Sequence, residues 1–152
     1  MDAGEATELE ATRSIVRFHL GEAQIALFTK TIKEIMELPT VTPVPCAPPH
    51  VPGIVAVRGE ALPLLDPARF LGLKASAPES PRLLIVRSPA FRVGLVCENV
   101  LGVIAVPASR IQEARVCSPP SLRRYALGEI ELSQGVAPVL DLDALLADGR
   151  AR

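Results

Sequence analysis

The chain states one pattern twice, and this repeat constrains its fold more than any other feature. Pro63-Leu64-Leu65-Asp66 recurs as Pro138-Val139-Leu140-Asp141, and the same shift of 75 positions carries Gly53 onto Gly128 and Leu71 onto Leu146. Both copies read as strand, hairpin, proline and an Asp-capped helix. Upstream, Ile25-Ala26-Leu27-Phe28 matches Val93-Gly94-Leu95-Val96 at a shift of 68, because the intervening loops differ in length. Two units of about five strands each follow, each close to the smallest size that buries a core. Closing each sheet into a barrel removes its open edges, and packing the two barrels together completes both interiors.

Local pattern supports the strands. Val16, Phe18 and Leu20 alternate with Arg17 and His19, and after a Gly21-Glu22 turn Ile25 and Leu27 continue the alternation, which predicts a hairpin. Residues 31–38 fit a helical turn or a bent strand, and strand is preferred. Prolines 39, 43, 45, 48, 49 and 52 force an extended connection. A second hairpin runs through 54–57, a turn at Arg58-Gly59-Glu60, and 61–65. Asp66 and Pro67 then open a short helix that buries Phe70 and Leu71 and closes at Gly72. Residues 74–81 read as a linker. Strands are predicted at 83–86, 91–97 and 100–106, and a last hairpin at 125–132 and 136–140. A terminal helix starting at Asp141 carries Leu142, Leu145 and Leu146 on one face. The expected organisation is an acidic tail over 1–13, one domain over 14–147 with interlaced halves 14–73 and 82–147, and a short tail over 148–152.

Composition narrows the function. A hydrophobic share of 49% with 22% charged residues predicts a packed globule. With no Trp and aromatics at 3%, the interior must be aliphatic and bases have little to stack on. A net charge of -1 supplies no field toward nucleic acid or anionic lipid. Cys46, Cys97 and Cys117 are odd in number and widely spaced, which reads as reduced thiols. The N-terminus lacks the pattern of a secretory leader, and the longest apolar run, 100–106, is too short to span a bilayer. A cytoplasmic protein is expected.

Where the copies differ, a residue is free to serve binding. The first hairpin tip is Val57-Arg58-Gly59-Glu60 and the second is Leu132-Ser133-Gln134-Gly135, so Arg58 has no counterpart. An arginine at a tight turn between apolar strands is expected to project outward.

The run Gly53-Ile54-Val55-Ala56-Val57-Arg58-Gly59-Glu60-Ala61-Leu62-Pro63-Leu64-Leu65-Asp66 resembles the CheW-like adaptors of bacterial chemosensory arrays. Residues 91–106 are similar to that family's second strand pair, and 138–146 to its closing strand and helix. Ala56 stands where the family often has Asn. The resemblance covers residues 14–147 and implies two SH3-like five-stranded barrels with a hydrophobic groove between them. It further implies an adaptor that couples methyl-accepting chemoreceptors to the regulatory domain of a CheA-type histidine kinase, in chemotaxis or a related motility pathway. Carried over by position, Arg58, Gly59, Glu34, Val96 and Val103 match receptor contacts, and Ile32, Glu34 and Ile35 match kinase contacts.

No catalytic constellation, cofactor motif or metal site is recognised. His19 and His50 stand apart from each other and from every Cys, and Asp66 and Asp141 are explained as helix caps. A non-enzymatic adaptor is therefore expected. The alternative is a small β-barrel module binding a ligand or nucleic acid through the Arg-rich segment 110–124.

Overall fold

The computed structural model describes residues 11–73, 81–115, 120–133 and 135–151. Its strands are β1 (Thr12–Leu20), β2 (Ala23–Phe28), β3 (Ile32–Glu37), β4 (Gly53–Val57), β5 (Glu60–Leu65), β6 (Arg82–Val86), β7 (Gly94–Pro107), β8 (Ile111–Gln112), β9 (Ala126–Leu132) and β10 (Gly135–Leu140). Helix α1 (Pro67–Leu71) follows β5, and α2 (Leu142–Ala151) follows β10.

The expected all-β architecture is present, and the expected interlacing takes the form of a strand exchange. One ring runs β3, β6, the start of β7, β5 and β4. It closes where Thr42, in the segment after β3, bridges Ile54 of β4. The other runs from the end of β7 through β1, β2, β10 and β9 to β8, which follows β7 after a single 3-10 turn at Ala108–Arg110. Each repeat thus gives its first two strands to the other barrel: β1 and β2 pair with second-half strands, while β6 and the start of β7 pair with first-half strands. The division at 14–73 and 82–147 is crossed in both directions.

Pairing register follows the two sequence shifts. In the parallel contacts, Val139 faces Ala26 in one barrel and Leu64 faces Gly94 in the other. The helix starts also repeat. Asp66 N–H donates to the His50 carbonyl at 2.8 Å, and Asp141 N–H to the Tyr125 carbonyl at 2.6 Å. Their side chains cap the helices, Asp66 accepting from Arg69 N–H at 3.3 Å and Asp141 from Ala144 N–H at 3.2 Å, which satisfies donors a helix start leaves free.

Three apolar clusters result. Val55, Leu62, Leu64 and Leu83 fill the first barrel, and their repeat partners Ile130, Ala137, Val139 and Ile15 fill the second. Between the barrels lies a larger core with Val16, Phe18, Leu84, Leu95, Leu140 and Leu145. Strands β1, β6 and the start of β7 are apolar on both faces because one face looks into a barrel and the other into this shared core.

Several boundaries differ from expectation. The strands expected at 91–97 and 100–106 are one 14-residue strand, β7, which passes from one barrel to the other and bends at Asn99 and Gly102, where φ is 43° and 130°. Strand β1 begins at Thr12, inside the expected tail, because Thr12 and Arg13 pair with Pro107 and Val106. The expected tail at 148–152 is helical through Ala151, since Tyr125 O–H donates to Asp148 at 2.7 Å and His50 Nε2–H to the Gly149 carbonyl at 2.9 Å. His50 is accordingly buried, and Phe70, expected to be buried, is only half-buried. Residues 1–10 of the expected tail, most of the linker at 74–81, Cys117 and Gln134 lie outside the described residues.

Candidate functional site

The first hairpin tip is built by its turn. Between Val57 and Glu60, which pair, only Arg58 and Gly59 remain, with φ of 50° and 79°. Two successive left-handed residues match the right-handed twist of the flanking strands. Glycine takes that conformation freely, whereas an arginine does so at some cost, so Arg58 is held there against its own preference.

Its side chain is exposed but not free. The guanidinium forks over the Glu34 carboxylate, Nη1 donating to Oε2 at 2.8 Å and Nη2 to Oε1, across 24 positions of sequence. Arg58 is 67% exposed and Glu34 29%. The hydrogen bonds from Arg58 hold the Glu34 carboxyl below its ordinary value, with the charges of Arg58 and Lys33 assisting against partial desolvation. The same pair raises Arg58.

A bulge delivers Glu34 to this position. Ile32 pairs with Val86 and Glu34 with Ile85, so the partner strand has no residue for Lys33. The slip breaks the up-down alternation and lets Lys33 and Glu34 both line one cleft of about 660 Å³ at the mouth of the first barrel. Val57, Leu62, Ile85, Phe91 and Val93 are among its apolar lining, and Arg87 and an Arg92–Glu60 ion pair stand with the other charges around it.

The other expected site residues do not share one surface. Ile35 lies on β3 and is 36% exposed, while Ile32 is half-buried against the shared core. Val96 pairs with Leu83 and packs against the first barrel's interior, whereas Val103 pairs with Val16 at the second barrel and is 59% exposed. Ile35 and Val103 are repeat counterparts, one on each barrel. Sequence reasoning missed Lys33, Arg87, Arg92 and Glu60 as cleft residues. A bulge leaves no mark in hydrophobic periodicity, so nothing local signals that Lys33 and Glu34 share a side.

Among the described residues no group of His, Cys, Asp and Glu gathers as a metal site. Cys46 is exposed, and burial pushes the Cys97 thiol up to about 12, far from a reactive thiolate. No described helix is long and apolar enough to cross a membrane.

A double barrel with a charged clamp at one mouth and apolar residues exposed on both units defines a class, the protein-binding scaffold. The CheW-like domain model matches residues 14–150, and the chain belongs to this family. It is similar to a probable chemotaxis protein CheW of Rhizobium etli, 25% identical over 140 residues that cover 91% of this chain and 90% of the relative. It is also similar to protein FrzA of Myxococcus xanthus, 27% identical over 99% of this chain and 96% of that one. The solved scaffolding protein CheW of Thermoanaerobacter tengcongensis shares the fold, with a TM-score of 0.80 and 21% identity over 89% of this chain and 88% of that one. The chain is a coupling adaptor of chemotaxis or a related chemosensory system, and these similarities do not favour the small ligand- or nucleic-acid-binding module.

Proposed function

We propose that this adaptor couples methyl-accepting chemoreceptors to the regulatory domain of a CheA-type histidine kinase, in the cytoplasm at receptor arrays, with no catalytic step of its own. Arg58, Gly59, Glu34, Val96 and Val103 serve the receptor, and Ile32, Glu34 and Ile35 serve the kinase. Of these, Val96 and Ile32 act by shaping the surface from beneath.

The observation that carries the reading is the Arg58–Glu34 fork. An arginine strained into a left-handed turn, kept exposed and oriented by a carboxylate from another strand, is arranged for directed hydrogen bonding to a partner. Glu34 sits between the tip and Ile35, so one ion pair ties the receptor-facing turn to the kinase-facing strand. Association through modest surfaces gains strength when contacts repeat across an array.

The test is Arg58→Ala, with Arg58→Lys beside it, measured against a receptor cytoplasmic fragment and the kinase regulatory domain. Receptor affinity should fall for both variants and further for Ala, kinase affinity should persist, and the melting temperature should hardly move because the pair is solvent-exposed. A large loss of stability, or receptor affinity equal to wild type, defeats the assignment.

A further inference from the structure

The repeat provides an internal control for the cleft, because every position at the first barrel's mouth has a counterpart at the second. Shifted by 68, Lys33 and Glu34 fall on Leu101 and Gly102, and Arg87 and Arg92 fall on His19 and Gln24. Shifted by 75, Arg58 and Glu60 fall on Ser133 and Gly135. None of the six charged side chains recurs as a charged residue of either sign. In the opposite direction, the floor residue Ile85 is replaced by Arg17 at the second mouth. A barrel of this design therefore closes without these charges. The fold does not need them, which leaves them free to serve binding.

Within the cleft the charges are unequal. Four basic side chains, Lys33, Arg58, Arg87 and Arg92, face two carboxylates, Glu34 and Glu60. Arg58 is held by Glu34 and Arg92 by Glu60. Lys33 and Arg87 are exposed, and among the described residues neither makes an ion pair, although Lys33 lies close enough to help depress Glu34. The two surplus cations flank an apolar floor, and the Arg87 N–H donates to the Thr31 carbonyl at 2.7 Å, which fixes Arg87 beside the strand that carries Lys33.

We propose that this cleft docks an acidic segment of the receptor, with its carboxylates received by Lys33 and Arg87 and an apolar side chain seated on the floor between them. The inference rests on the reading that Arg58 faces the receptor. A site of this volume admits a few side chains rather than a whole helix. The two resident carboxylates and the apolar floor favour a protein segment over a polyphosphate backbone, which selects for cation density alone.

The experiment measures binding of a receptor cytoplasmic fragment to the full chain by calorimetry at about 50 and about 300 mM salt, a range over which screening of exposed charges changes strongly. Wild type, Lys33→Glu/Arg87→Glu, Lys33→Gln/Arg87→Gln and Arg58→Ala are compared, with melting temperatures as a folding check. The charge-reversed variant should lose at least about tenfold in affinity at low salt, the neutral variant less, and the salt dependence should flatten in both. Binding of the kinase regulatory domain should fall by a smaller factor than receptor binding. If Arg58→Ala weakens receptor binding while charge reversal leaves it within about twofold, a difference too small for a close charge pair, the acidic-segment proposal fails and the hairpin reading stands. If neither variant affects receptor binding, the hairpin reading fails and takes this proposal with it. If a duplex DNA probe binds wild type as tightly as the receptor does, and charge reversal abolishes that binding, the occupant is a polyanion and the proposal is overturned.

Discussion

The hairpins β4–β5 and β9–β10 start and end alike and differ at their tips. Each carries in its first strand a glycine pressed against a neighbouring backbone, Gly53 at the start of β4 and Gly128 two residues into β9: a Cβ on Gly53 would lie 2.1 Å from the Thr42 carbonyl oxygen, and one on Gly128 would lie 2.7 Å from that of Gln112. Each ends on an aspartate that caps a helix. Between these fixed ends the first turn carries Arg58, locked to Glu34, where the second carries Ser133, and Gly102 replaces Glu34. The comparison separates two kinds of constraint. Ring closure dictates the ends, where a neighbouring strand must approach, and both barrels have to meet that demand. The tips meet only solvent or a partner, so they diverge.

The largest expected effects lie at the shared ends. Gly53→Ala places its methyl into backbone that cannot yield, at a φ of 156° that already disfavours side chains, and should cost about 3 kcal/mol or more, as overpacking combined with backbone strain does. Gly128→Ala meets a less severe clash, partly with the Ile111 side chain, and should cost less. Chemical denaturation of both variants checks the order. Equal, negligible losses would break the claim that these glycines close the rings.

Smaller effects are expected at the caps. Asp66→Ala and Asp141→Ala should each cost about 1 kcal/mol, the usual loss for an N-cap acceptor, with Asn retaining most of it. Similar losses in the two halves would sharpen the equivalence. A loss confined to Asp141 would show that only the ten-residue helix depends on its cap.

The smallest effect concerns pH and belongs to the first tip alone. Because Arg58 lowers the Glu34 pKa in the folded chain, the pair's contribution is fully present above the unfolded Glu value of 4.5 and is lost only as pH falls through the lowered folded value. Titrating the Glu34 side-chain carboxyl by NMR should place its midpoint below that of an unfolded-peptide Glu, and Arg58→Ala should move it upward. An unmoved midpoint would mean that the fork does not persist in solution.

Much of this was legible in the sequence because it is written in short-range chemistry. The turn at Arg58-Gly59-Glu60, which the structure tightens to two residues by pairing Glu60 with Val57, the caps at Asp66 and Asp141 and the alternation of β1 and β2 each depend on neighbours a few positions away. The two shifts, 68 and 75, even carry the parallel register that Val139–Ala26 and Leu64–Gly94 realise. Arg58 was identifiable as the odd residue between the copies. Glu34 came only through family resemblance, since its partner lies 24 positions away and nothing near it marks an ion pair.

The sequence by itself determined that there are two like units, where their hairpins turn, where their helices begin and which tip carries charge. Tertiary structure alone decided which barrel each strand joins, that β7 is one strand serving both, and that a bulge at Lys33 brings Lys33, Glu34 and Arg58 to one mouth. The physical reason is range. Alternation assigns a residue to a face but names no partner strand, and the exchange of β1 and β2 for β6 and the start of β7 is settled by burying both apolar faces of these strands at once, which only the assembled pair of barrels can do.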